Sequence, residues 1–181
     1  MKIWHEGELL SLNKADFVAQ GGEASIYARD GVAFKIYHEP QSTIGSDKIV
    51  ELQGIVSSVV IGPRAQIRDE CGTVVGYSMR HIVDCYTLCQ LFPKAFRERH
   101  SLGQETSHAL VLQIRQGIED VHRAGVLLVD GNEMNVLVRS DFGQVFFVDV
   151  DSYQTRQYPA TAIMQSISDP LVRDRCFTQG S

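Results

Sequence analysis

The rhythm of apolar and polar positions changes twice along this chain. Between residues 17 and 37 short apolar runs alternate with glycine: Phe17-Val18-Ala19, Gln20-Gly21-Gly22-Glu23-Ala24, Ser25-Ile26-Tyr27-Ala28, Asp30-Gly31, then Val32-Ala33-Phe34-Lys35-Ile36-Tyr37. A two-residue Asp-Gly between apolar runs predicts a β-hairpin, because both positions must tolerate positive φ. Within the last run, alternation sets Val32, Phe34 and Ile36 on one face and Ala33, Lys35 and Tyr37 on the other. After the His38-Glu39-Pro40 break, Ser46 or Asp47 is suited to cap a short helix reaching about Val56. Ala65-Gln66-Ile67-Arg68 and the run Thr73 to Met79 read as strands on either side of an Asp69-Glu70-Cys71-Gly72 turn. Five strands and one helix are thus predicted for residues 1–82.

The later part has a different period. Leu110, Ile114, Gly117, Ile118 and Val121 form the stripe of an amphipathic helix over 107–123, with Gly125 placed to end it. Val126-Leu127-Leu128-Val129 reads as a strand, followed by the polar loop Asp130-Gly131-Asn132-Glu133-Met134-Asn135. Val136-Leu137-Val138-Arg139, a turn at Ser140-Asp141-Phe142-Gly143 and the run Gln144 to Asp151 complete a second hairpin. Residues 152–181 carry no strong period and read as extended loop with at most short helical turns.

Composition narrows the class. The chain has 181 residues, 44% hydrophobic and 22% charged, the mixture of a globular protein. The formal charge of −5 argues against a broad nucleic-acid footprint, so an anionic ligand needs locally placed cations. No apolar run reaches the ~18 to 20 residues of a membrane helix. The start, Met1-Lys2-Ile3-Trp4-His5-Glu6, lacks the apolar core of a signal peptide. Cytoplasmic location is the expectation. Cys71, Cys85, Cys89 and Cys176 form no CxxC pair and fit free thiols in a reducing compartment. His81, Cys85 and Cys89 recur at helical spacing, as metal ligands on one face would; small buried core cysteines are the plain alternative.

Three features carry candidate chemistry. Ala19-Gln20-Gly21-Gly22-Glu23-Ala24 offers small residues at a strand turn, where backbone amides can approach phosphates; a plain glycine hairpin is its structural reading. Lys35 leaves the apolar face of its strand beside Ala33; a solvated lysine is the alternative. Asp130, Asn135 and Asp149 abut apolar strands and supply the hard oxygen ligands that magnesium accepts alongside phosphate oxygens, although loop Asp and Asn often only make turns.

Together these residues resemble a protein kinase. A glycine-rich loop, a lysine in a V-A-I-K setting, an acid and asparagine spaced as D-x-x-x-x-N and a later metal-binding Asp occur in that order at residues 19–26, Val32-Ala33-Phe34-Lys35, Asp130 to Asn135, and Asp149. More narrowly, Gly21-Gly22-Glu23, Lys35-Ile36-Tyr37-His38, Gly76-Tyr77-Ser78-Met79 and the run Phe147 to Gln154 resemble the bacterial atypical kinases often fused to a helix-hairpin-helix domain. The resemblance implies an α+β, protein-kinase-like architecture, with a five-stranded N-lobe and one helix over 1–82 and a shortened C-lobe over 83–181. It implies ATP and Mg2+ as cofactors and transfer of phosphate to Ser or Thr of a protein substrate. Family partners include a PP2C-type phosphatase and von Willebrand A-type proteins.

Carried over by residue, Gly21 and Gly22 would cover the phosphates and Lys35 would contact the α and β phosphates, with Glu51 or Glu39 as its ion-pair partner. Ala33 would line the adenine pocket and Met79 guard its back, with His81 and Ile82 in the hinge after Arg80. Asp130 would receive the proton of the acceptor hydroxyl, and Asn135 and Asp149 would hold magnesium. Asp141-Phe142-Gly143 spells the family's D-F-G but lies at a hairpin tip, so the metal role goes to Asp149. Asp151, at i+2 along an extended run, would add charge to that site or cap the next turn. Ala19 and Ala24 replace two loop glycines, Val129 replaces the Arg of H-R-D, and Asn132 stands where a lysine is usual. A kinase-like nucleotide-binding or scaffold module and a small-molecule phosphotransferase are therefore the alternatives. The absence of A-P-E and of later helical periods, with Phe177-Thr178-Gln179-Gly180-Ser181 running toward a lobe-anchoring helix, leads to the expectation of a C-lobe cut short.

Overall fold

The computed structural model describes residues 1–160. Cys176, the expected loop and helical turns over 161–181 and the run from Phe177 lie outside the described residues. The chain divides into two compact units: Met1–Gln53 with Gly62–Ile82, and Gly54–Ile61 with the chain from Val83 on.

The first unit is a seven-stranded antiparallel sheet. Its strands are β1 (Lys2–His5), β2 (Glu8–Ser11), β3 (Phe17–Gln20), β4 (Ala24–Arg29), β5 (Val32–Tyr37), β6 (Pro63–Arg68) and β7 (Val74–Arg80), in the order β2-β1-β6-β7-β5-β4-β3. The expected five-stranded, kinase-like N-lobe with one helix and a shortened C-lobe is not what forms; the chain is β-rich with few helices. The physical reason is an N-terminal hairpin. Glu6 and Gly7 both take left-handed backbone (φ 49° and 86°), the geometry of a tight two-residue turn. The hairpin buries Ile3 completely, with Leu12, Phe34, Ile36, Ile67 and Val75 in one core cluster. Trp4 meets Arg68 on β6, so the sheet grows past five strands.

The Asp30-Gly31 turn forms as expected, with φ of 51° and 79°. Val32 packs against the core cluster containing Phe34 and Ile36, in keeping with the alternation of β5. Helix α1 spans Ser46–Gln53, buries Ile49 and Leu52, and stops before Gly54, short of Val56. Its end is tied to β6, Gln53 Nε2 donating to the Arg64 carbonyl at 2.6 Å.

An ion pair fixes the outer strands. Arg29 donates from Nε to Asp16 Oδ1 at 3.0 Å and from the guanidinium to Oδ2 at 2.6 Å, and reaches the Ser11 carbonyl at 2.7 Å. The Arg29 hydrogen bonds, with the Asn13 amide, hold the Asp16 carboxyl below its ordinary value of 3.8. A lowered native pKa means that the unfolded chain binds the proton more readily, so the stabilisation is present above 3.8 and is lost as pH falls below it. Asp16→Asn is therefore expected to lower the thermal midpoint at pH 7, with the gap to wild type closing in an acid series below pH 4.

The second unit pairs β8 (Cys85–Thr87), β9 (Val136–Arg139) and β10 (Val145–Phe147) in the order β10-β9-β8. Helix α2 (Lys94–Arg99) and helix α3 (Gln104–Arg123) accompany them. Helix α3 buries Leu110, Gly117 and Val121, and Gly125 follows it at φ 73°. A Cβ on Gly117 would stand 2.3 Å from the Phe147 ring, so the glycine lets helix and strand meet closely.

The open side of β10 is covered. Phe147 donates to the Val59 carbonyl at 2.8 Å and accepts from Ile61 at 2.9 Å, while the Gln113 amide oxygen accepts from Val145 at 3.1 Å. Val126-Leu127-Leu128-Val129 does not make a strand; Leu127 forms a single bridge with Gln154. His81, Cys85 and Cys89 share no helix, since Cys85 lies on β8 and Cys89 in a 3-10 turn over Leu88–Leu91.

Candidate functional site

In the first unit Ala33 and Lys35 lie on β5 and Met79 on β7, with Gly21 and Gly22 just before β4. Lys35 is 6% exposed and pairs across β5 and β7 with Tyr77. Its ammonium lies 5.2 Å from the Tyr37 ring centre and 5.8 Å from that of Tyr77, within cation–π range. Ala33 pairs with Met79, and both are buried. Glu51 is half-buried on α1, whereas Glu39 is exposed and accepts from the Gln41 side chain. His81 follows β7 and donates to the Gly31 carbonyl at 3.0 Å, with Ile82 next in the chain.

Gly21 and Gly22 are exposed between β3 and β4. The Gly21 amide donates to the Ala24 carbonyl at 2.8 Å, closing the turn. Neither glycine has a left-handed φ, and a Cβ on Gly22 would meet nothing within 4 Å. The fold thus gives no steric reason for glycine at 22. Close approach of a ligand to the backbone is one. Among the described residues nothing accepts from the Gly22 and Glu23 N–H groups.

In the second unit the loop 130–135 is a connected network. Asn135 Nδ2 donates to Asp130 Oδ2 at 2.7 Å, and Asn132 Nδ2 donates to Asp130 Oδ1 at 2.8 Å. Asn132 Oδ1 in turn accepts from the Met134 and Asn135 amides at 2.8 and 3.1 Å, folding the loop back on itself. A carboxylate has about four acceptor sites, so Asp130 is oriented without being saturated. The Asn135 carbonyl accepts from the Val148 amide at 2.9 Å, which brings Asn135 beside the residue preceding Asp149.

Asp149 is half-buried and left-handed, with φ 59° and ψ 34°. Such a backbone is costly for a side chain and recurs where function requires it. The expected extended run therefore ends at Asp149, and Val150–Ser152 form a 3-10 turn with Asp151 buried. Asp151 therefore does not stand two residues along an extended strand from Asp149. Asp141-Phe142-Gly143 does make the hairpin tip, with Gly143 donating to Asp141 Oδ1 at 2.8 Å.

Three residues outside the sequence-based set join the candidate sites. Asn132 holds Asp130, His38 packs on the glycine turn, and Tyr153 lies among the acids. Tyr153 is 1% exposed; burial, then the charges of Asp130, Asp149 and Asp151, push its hydroxyl well above the usual tyrosine range. It stays protonated at neutral pH. The Asx-turn chemistry of D-x-N was the available signal for Asn132; no local pattern distinguished Tyr153.

No protein-family model matches the sequence, and no curated protein matches it. No helix among the described residues is long and apolar enough to cross a membrane. Among the described residues no group of three or more His, Cys, Asp or Glu is placed to hold a metal by itself. Magnesium commonly takes one or two protein carboxylates and completes its shell with water and phosphate oxygens. Asp149 with the amide oxygen of Asn135 is a donor set of that kind, and the Asn135 side chain binds Asp130 through its nitrogen.

Proposed function

We propose that this chain binds ATP with magnesium and transfers the γ-phosphoryl group to a Ser or Thr hydroxyl of a protein, as the atypical bacterial kinases it resembles do. One observation carries the reading: Asn135 binds Asp130 through its side chain and Val148 through its backbone, so acid, amide and later Asp form one connected set. The reading rests on these residues and their chemistry, not on a fold class.

Phosphoryl transfer requires mainly positioning and charge neutralisation. The Gly22 and Glu23 N–H groups offer donors to phosphate oxygens, and Lys35 offers a fixed charge to the α and β phosphates. Asp130, oriented by two amides, accepts the proton of the acceptor hydroxyl. The hydroxyl oxygen forms its bond to the γ phosphorus as the bond to the β–γ bridging oxygen breaks, and ADP leaves with that electron pair. Magnesium held by Asn135 and Asp149 would neutralise charge on the phosphates.

A second reading, a nucleotide-binding scaffold without transfer, is favoured by Asn132: the position where the resembled kinases carry a cation instead holds an amide bonded to Asp130. A cytoplasmic setting, with a PP2C-type phosphatase or a von Willebrand A-type protein as partner, belongs to the same proposal. The test is incubation of the wild-type chain with γ-labelled ATP, magnesium and a generic protein substrate. Magnesium-dependent label in the chain or the substrate supports transfer. Nucleotide-dependent thermal stabilisation without label supports the scaffold, and neither response sinks both readings.

A further inference from the structure

We propose that His38 is a positioning residue that sets the phosphate-facing direction of the Glu23 amide, an inference that rests on the reading of the glycine turn given above. His38 follows β5 and is exposed, yet its ring is held on three sides. Nδ1 lies 3.2 Å from the Gly22 carbonyl, and Nε2 lies 3.2 Å from Ser25 Oγ and 3.5 Å from Gln20 Nε2. The His38 backbone amide also donates to the Glu23 carbonyl at 2.9 Å. A carbonyl only accepts, so Nδ1 carries the hydrogen, and the single lone pair of Nε2 in the neutral ring is left to accept from the nearer Ser25 hydroxyl.

The consequence follows from peptide geometry. A trans peptide is planar with its C=O and N–H pointing in opposite directions. Holding the Gly22 carbonyl toward the imidazole therefore turns the Glu23 N–H away from it, toward the side where nothing among the described residues accepts from it. Glycine at 22 makes this peptide cheap to rotate, so an oriented donor here needs a strut. The histidine ring is that strut. Its role is exerted through the turn and requires no contact with the nucleotide.

The experiment compares wild type, His38→Ala, His38→Asn and His38→Gln by equilibrium titration with MgATP, inorganic tripolyphosphate and adenosine. The Asn side-chain nitrogen falls near the place of Nδ1, whereas that of Gln falls near Nε2. His38→Ala is expected to weaken MgATP and tripolyphosphate roughly 5- to 10-fold, the effect of one hydrogen bond, and to leave adenosine affinity and the unfolding midpoint unchanged. His38→Asn should recover most of the loss and His38→Gln little of it. Equal binding by wild type and His38→Ala, a parallel loss of adenosine, or Asn recovering no more than Gln would each overturn the role of His38. Wild type that binds neither MgATP nor tripolyphosphate would instead remove the functional reading, and this inference with it.

Discussion

Asp149→Asn is expected to reduce magnesium-dependent phosphate transfer from ATP at least about 100-fold, the scale on which removing one preorganised charge-stabilising group acts. Asparagine suits this test better than alanine. Asp149 holds a left-handed backbone at φ 59°, which asparagine tolerates and alanine does not. The substitution keeps the side-chain shape and removes the negative charge. The Asn135 carbonyl bond to Val148 uses no side-chain atom of residue 149, so the loop stays tied to the end of β10. Initial rates over a magnesium series, beside thermal unfolding, separate a lost metal ligand from a lost fold. A large fall in rate with an unchanged midpoint is the expected pair.

Gly76→Ala has the opposite signature, a collapse of stability with activity lost as its consequence. Gly76 sits within β7 opposite Ile36 of β5. A Cβ there would lie 1.9 Å from the Lys35 carbonyl oxygen and 2.9 Å from the Lys35 carbonyl carbon. Both are backbone atoms of a central strand, so no rotamer relieves the clash and β5 must separate from β7. Overpacking in a core costs about 1–3 kcal/mol where side chains can yield; here the backbone must yield, and about 3 kcal/mol or more is expected. Denaturant unfolding should show a lower midpoint with little change of slope. An alanine variant as stable as wild type would contradict the register of β5 against β7.

The parts of the fold legible in the sequence were those with a local physical signature. Asp30-Gly31 makes a turn by its own conformational preference. Leu110, Gly117 and Val121 recur at helical spacing on α3, and Phe142 takes the positive φ of a hairpin tip between two apolar runs. The first hairpin was hidden because each strand has four residues and Trp4 and Leu9, both apolar, remain exposed, so its alternation does not separate inside from outside. Without that hairpin the pattern yields five strands, against the seven of the sheet. The run 126–129 buries Val126 and Val129 and exposes Leu127, and a short apolar run of this kind has the same pattern in a strand as in packed coil.

The candidate site divides along the same line. Lys35, Asp130, Asn135 and Asp149 stand out by residue type and spacing. Their supports do not, because each support acts through distance. Asn132 holds Asp130 by a bond that depends on how the loop folds back, and His38 meets Gly22 only because β5 returns beside β4. Tyr153 adjoins Gln154, which pairs with Leu127, a contact with no periodic trace in the chain. Asp149 stands out by residue type, but its left-handed backbone, which leads into the 3-10 turn holding Asp151, has no signature in the sequence.

Nucleotide binding is tested most directly by a calorimetric titration of ATP, with magnesium, into the wild-type chain and into Lys35→Ala. Saturable binding by wild type is expected, weakened at least about 10-fold in the variant through loss of a buried charge on phosphate, with both proteins folded. No binding by the folded wild type, or equal affinity in the two proteins, would contradict the proposed function.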